Sequence, residues 1–222
     1  MTDASNEYPT LSLKERDRRW ASVRAMLSAQ GLDGLIVFGN GRDAADSYLT
    51  NEAKRSVVVL PMTGEPTVFI GDVPLDRYDV PGQRWERWVQ DWVAGDGIAN
   101  AAARIRQLGL ERARLGVVGL TSRMVGEWAG IISYKTWSRV LDLLPQVKWT
   151  DVSGAYESLV AIKSVEERRL LRKAASLGEN ACRAFVETAR EGGNEHEVSA
   201  AVFQAIVAGG GWMRSPFFLE RA

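Results

Sequence analysis

The sequence predicts a mixed-sheet α/β domain over residues 1–160, followed by the first helices and strand of a second, incomplete α+β domain over 161–222. Three observations carry this. Short, nearly continuous apolar runs alternate with stretches of helical periodicity, the pattern of buried strands between covering helices. Two of those runs flank a Gly- and Pro-containing turn, which makes them an antiparallel hairpin and the sheet a mixed one. Beyond residue 160 the character changes to two capped amphipathic stretches and one short apolar run, too little to enclose a core alone.

The elements follow in order. Residues 1–10 are a polar leader. Ser12-Leu13-Lys14-Glu15 has the spacing of a capping box and opens a helix over 13–30. Trp20, Val23, Met26 and Leu27 form its apolar face, Arg16, Arg18 and Arg19 fall on the wetter side, and Gly31 stops it in a left-handed turn. Leu32 to Gly39 is a buried strand. Tyr48-Leu49-Thr50-Asn51 reads as extended. Residues 56–61 and 67–70 are the hairpin strands across Met62-Thr63-Gly64-Glu65-Pro66. Residues 72–97 read as irregular, with Trp85, Trp88 and Trp92 around Asp91. An Ala-rich helix over 98–108 ends at Gly109, a strand covers 114–120, a helix 123–144, and a last strand 147–152.

In the second part, Ser164-Val165-Glu166-Glu167 is another capping box. It starts a helix to about Glu191 whose apolar stripe is Leu171, Ala174, Ala175, Gly178, Ala181, Cys182 and Phe185. Asn194, with Glu197 three residues on, caps a helix that runs to Gly209-Gly210-Gly211, and Phe217-Phe218-Leu219 is strand-like.

Composition removes whole classes of function. Twenty-eight Lys and Arg balance 28 Asp and Glu, so the chain lacks the positive excess of a protein that binds nucleic acid through phosphates. One Cys excludes a disulfide within the chain and any Cys-based zinc cluster, and one His excludes a site built on two imidazoles. The polar start has no apolar signal region and no run reaches membrane-spanning length, so the expected partners include neither nucleic acid nor membrane and the expected location is the cytoplasm.

Several motifs have to be weighed. Gly39-Asn40-Gly41-Arg42-Asp43-Ala44 follows a strand and fits a dinucleotide fingerprint, but the dozen residues after it do not read as the required helix, so it is taken as a Gly-rich turn. Gly209 to Gly211 has no Lys-Ser/Thr pair after it and reads as a helix stop. His196-Glu197 begins a zinc-protease motif, but Ala200 stands where the second His would be, leaving His196 as a solvated first-turn residue. The Trp cluster reads as packing, and Cys182 as a small buried hydrophobe. No Ser/His/Asp set can be assembled, and no catalytic constellation is visible.

One stretch is more specific. Val160-Ala161-Ile162-Lys163-Ser164-Val165-Glu166-Glu167-Arg168-Arg169-Leu170-Leu171-Arg172-Lys173-Ala174-Ala175 resembles the interdomain junction of the creatinase/prolidase family, which includes Xaa-Pro dipeptidases and aminopeptidases with a pita-bread catalytic domain. Gly192 to Val198 is similar to that family's Gly-x-Thr-Glu-x-Glu-Val, with Asn194 in the place of Thr. Arg16 to Trp20, Gly31 to Leu35 and Tyr48-Leu49-Thr50 are similar to its accessory N-terminal domain.

The resemblance implies a creatinase-type N-terminal domain followed by the beginning of a pita-bread domain. It implies a metal-dependent hydrolase of small peptides or amides, working as a homodimer with two divalent cations. The family's ligands, two Asp, one His and two Glu, lie beyond the strand that Phe217 to Leu219 represents. On that reading this chain holds no catalytic or metal-binding residue and binds no cofactor itself. The accessory domain would pack across a dimer and help close a neighbour's active site, with Arg42, Tyr48 and Trp88 as the pocket-capping or interface candidates. The alternative is a non-catalytic protein that uses the same domain for dimerisation or capping.

Overall fold

The computed structural model describes residues 9–39, 45–52, 56–71, 87–121 and 132–211. They form two compact units: one spans Leu11–Ile162, and the described residues from Lys163 onward belong to the other.

Among the described residues, the first unit is built on a six-stranded sheet. Its strands are β1 (Gly34–Phe38), β2 (Ser56–Pro61), β3 (Thr67–Ile70), β4 (Trp92–Ala94), β5 (Arg114–Val118) and β6 (Lys148–Asp151), in the order β4-β3-β2-β1-β5-β6. β2 runs antiparallel to β1 and β3; the pairs β1/β5, β3/β4 and β5/β6 are parallel. The expected hairpin is therefore present, in the register Val57 to Phe69 and Val58 to Val68. The expected mixed sheet is borne out as well.

Helices cover both faces. They are α1 (Leu13–Ala29), α2 (Ala45–Thr50), α3 (Gly97–Gln107), α4 (Tyr134–Leu143) and α5 (Ser153–Ala161). Alternation along the strands sends Ile36, Val59, Phe69 and Val117 toward α3 and α4, where Ala101, Ala102, Ile105 and Leu144 complete a buried core. Leu35 faces the other way, onto the layer of α1, α2 and α5. In that layer Gly116 lets Leu27, Leu35 and Val152 close in, since a Cβ would stand 3.0 to 3.3 Å from all three. Each fully buried Leu, Ile or Val here contributes about 1.5–3 kcal/mol. Gly31, at φ +64, ends α1 as expected.

Four expectations are corrected. Residues 48–50 are helical: α2 is short but its Thr50 hydroxyl donates to the Asp46 carbonyl, and Asn51 ends it at φ 58, which Asn tolerates. The 72–97 stretch contributes β4, whose three residues pair with β3. Arg19 is buried, because its guanidinium finds a carboxylate and aromatic faces inside the unit. Cys182 is exposed, because within the helix pair of the second unit its position is left uncovered. The helix expected over 123–144 is described only as α4. The Phe217 to Leu219 strand lies outside the described residues.

Among the described residues, the helices of the second unit are the pair α6 (Val165–Thr188) and α7 (Glu195–Ala208). The Ser164/Glu167 capping box is formed in both directions, at 3.1 and 2.8 Å. Asn194 caps α7 through the His196 amide at 2.9 Å. Ala181, Val198 and Val202 are buried, while Leu171, Val186, Phe203 and Val207 are exposed.

Candidate functional site

Chain direction gathers one end of the first unit. β1, β3, β5 and β6 end there and β2 begins there, so Gly39, Gly71, Thr121, Ser153 and Ser56 all stand at the same rim. Carboxyl ends of parallel strands are where open α/β sheets present functional groups. The first turns of α1 belong to this rim too, held to α2 through Arg19 and Trp20.

Two polar clusters organise it. The first centres on Arg19, which is only 4% exposed. Its Nε donates to Glu15 at 2.9 Å and its Nη1 to the Tyr48 carbonyl at 3.1 Å. The planar guanidinium lies 4.5 Å from the Tyr48 ring centroid and 5.0 Å from that of Trp88. Glu15 also receives both arms of the Arg18 fork, at 2.8 and 2.6 Å. Burial opposes ionisation of Glu15, but the hydrogen bonds and charges of Arg18 and Arg19 outweigh it and hold the carboxyl below its usual range. Around this core, Trp20 Nε1 donates to the Leu49 carbonyl at 2.9 Å and Arg16 reaches the Trp88 carbonyl at 3.4 Å.

The second cluster centres on Asp46, 1% exposed. Its carboxylate accepts from the Ser56 amide at 3.1 Å, the Ser56 hydroxyl at 2.7 Å and the Ser47 amide at 3.0 Å. Burial raises its pKa against those donors. The carboxylate fills the space a Cβ of Gly39 would need, and the Gly39 amide donates to the Ser56 carbonyl at 2.8 Å. The first glycine of the supposed dinucleotide motif thus makes room for the buried carboxyl group of Asp46. The rest of that motif, residues 40–44, lies outside the described residues. Tyr156 ties the clusters together, donating to the Ala45 carbonyl at 2.7 Å and meeting Tyr48 edge-on at 5.8 Å.

Of the three capping or interface candidates, Tyr48 and Trp88 are interior, 4% and 0% exposed, and both rings lie against Arg19. Arg42 lies outside the described residues. Arg19, Glu15 and Asp46 were missed as site residues: the sequence shows them as ordinary helix and loop charges. Elsewhere, Thr67, Asp91 and Arg104 line a shallow groove of about 190 Å³ and bond to one another, with Thr67 donating to Asp91 at 2.6 Å. His196 is exposed in the first turn of α7, as expected.

None of this makes a nucleophile and a base meet. Among the described residues, these buried polar groups hold elements of the rim together. Among the described residues, no group of three or more His, Cys, Asp or Glu stands close enough to hold a metal ion.

A family profile for the Creatinase/Prolidase N-terminal domain matches residues 19–161, which covers α1 from Arg19 through α5. The chain belongs to that family. The creatinase/prolidase likeness extends to solved structures. The fold resembles an Xaa-Pro dipeptidase from Bacillus anthracis, with a TM-score of 0.61 and 19% identity, over 86% of this chain and 48% of that one. It resembles an X-Pro aminopeptidase from Thermotoga maritima, with a TM-score of 0.64 and 16% identity, over 86% and 49% of the two chains. A dipeptidase from Mycobacterium ulcerans matches with a TM-score of 0.57 and 22% identity, over 90% and 51%. The chain spans about half the length of these proteins. Comparison with curated protein sequences gives no match. No helix among the described residues is long and apolar enough to cross a membrane.

Proposed function

We propose that this chain is the N-terminal portion of an Xaa-Pro peptidase-like, metal-dependent hydrolase. Its first unit is the accessory domain, its second the beginning of the pita-bread domain, and the ligands for two divalent cations come from sequence beyond residue 222. The observation that carries the reading is the match of residues 19–161 to the accessory-domain family within a chain half the length of Xaa-Pro peptidases of the same fold. In the assembled enzyme the paired cations would activate a water and polarise the scissile carbonyl. The chain's own residues would shape the rim that closes over a small peptide or amide. Arg42 would face that pocket, while Tyr48 and Trp88 would act from the interior by fixing the rim's shape. The working form would be a cytoplasmic homodimer. The test is the reading frame after codon 222: it should encode two Asp, one His and two Glu in the family's order, and a frame without them overturns the reading.

A second reading is a non-catalytic dimerisation or capping protein. It is favoured by the surface of α4, where Tyr134 is 86% and Leu141 40% exposed. Sedimentation of the chain as a strict monomer at all concentrations would remove it.

A further inference from the structure

Arg19 touches two segments that are far apart along the chain and adjacent at the rim. One is α2, reached through the Tyr48 carbonyl and ring; the other is the segment at Trp88, reached through the indole face. The neighbouring turn of α1 repeats the pattern, with Trp20 on the Leu49 carbonyl and Arg16 on the Trp88 carbonyl. Glu15 fixes the guanidinium from below, and Arg18 in turn fixes Glu15. We propose that Arg19 is a positioning residue that couples α2 to the Trp88 segment, so that the two open and close as one unit.

The physical reason lies in the shape of the group. A guanidinium offers donors at its edge and two flat faces, so one buried ion can engage a carboxylate, a carbonyl and two rings together. A Lys at this position would keep a charge near Glu15 but could not lie flat against Tyr48 and Trp88. Coupling of this kind shows as non-additivity between sites that share a partner, and local opening is where it is read. The biological meaning of the unit rests on the rim being the part that closes over substrate. The coupling itself needs no activity to be measured.

The experiment is native-state hydrogen exchange of the full chain, read at residues 45–52 and 87–91. In Arg19→Met both segments should exchange faster together, by about tenfold, while 34–38 and 114–118 keep their protection. Tyr48→Leu should also raise exchange at 87–91, and this cross-effect should vanish in the Arg19→Met background. Arg19→Lys should behave like Arg19→Met. Arg24→Ala, which removes the hold on the Pro61 and Gly64 carbonyls at the other end of the sheet, should change neither segment. If Arg19→Met does not fold, Arg19→Lys decides the matter alone. Independent responses of the two segments, or full protection of both by Lys, would overturn the proposal; neither result would touch the family or the reading frame.

Discussion

The space where a Cβ of Gly39 would stand is filled by the carboxylate of Asp46. That carboxylate cannot step aside freely, because three donors from Ser47 and Ser56 hold it. The end of β1, the start of α2 and the start of β2 are therefore locked by one glycine and one acid. Gly39→Ala should destabilise the first unit by about 1–3 kcal/mol, the usual cost of overpacking. Urea unfolding midpoints measure it. Asp46→Ser, which shortens the side chain, should cost less in the Gly39→Ala background than in the wild type; equal costs in the two backgrounds would contradict the contact.

The same acid sets a pH dependence. Burial raises the Asp46 pKa, so the folded chain holds this proton more tightly than the unfolded chain, whose value is about 3.9. The stability this group contributes is complete below that value and is lost as pH rises through the folded pKa. Wild-type stability minus that of Asp46→Asn should therefore fall between acid and neutral pH. Urea midpoints of both proteins at matched pH values test the sign, and a difference that rises with pH would contradict it.

Glu15 behaves in the opposite sense. Arg18 and Arg19 hold it low, so its contribution is present above about pH 4.3, the unfolded value, and is lost as pH falls through the folded one. The pairing is also asymmetric. Without Arg19, Glu15 keeps the exposed Arg18; without Glu15, the buried Arg19 has lost its carboxylate. Glu15→Ala should thus cost more than Arg19→Met, because it removes the one carboxylate that both guanidinium groups hold; about 3–5 kcal/mol is the range for breaking a buried ion pair by removing one partner. Equal or reversed losses in unfolding would show that Arg18 does not share the carboxylate.

In the second unit the reciprocal Ser164/Glu167 box should be worth about 1 kcal/mol. Ser164→Ala should lower the helix content and melting temperature of α6 and α7 while leaving exchange in the β1/β5 strands unchanged. Loss of protection in those strands would contradict the independence of the cap.

The strands were legible because β1, β2, β3 and β5 are apolar runs, buried on both faces, that need no knowledge of their neighbours. Helices α1 and α6 were legible from the cap spacing at Ser12 and Ser164. What escaped depends on contacts far along the chain. The six residues of α2 show no periodicity, and the Trp20 and Tyr156 side chains that bind the Leu49 and Ala45 carbonyls come from α1 and α5. Arg19 reads as a surface charge until folding brings Tyr48 and Trp88 to it. Asp46 sits in a polar stretch with nothing to mark it as buried. Cys182 erred the other way: its stripe has helical spacing, but the helix pair offers that position no cover among the described residues.

As proposed, the chain supplies the accessory domain of an Xaa-Pro peptidase-like hydrolase, and the metal ligands come from further sequence. Hydrolysis of an Xaa-Pro dipeptide by the 222-residue chain, with and without added Mn²⁺, tests it most directly. No metal-dependent cleavage above background is expected. Sustained turnover that a chelator abolishes and Mn²⁺ restores would contradict it.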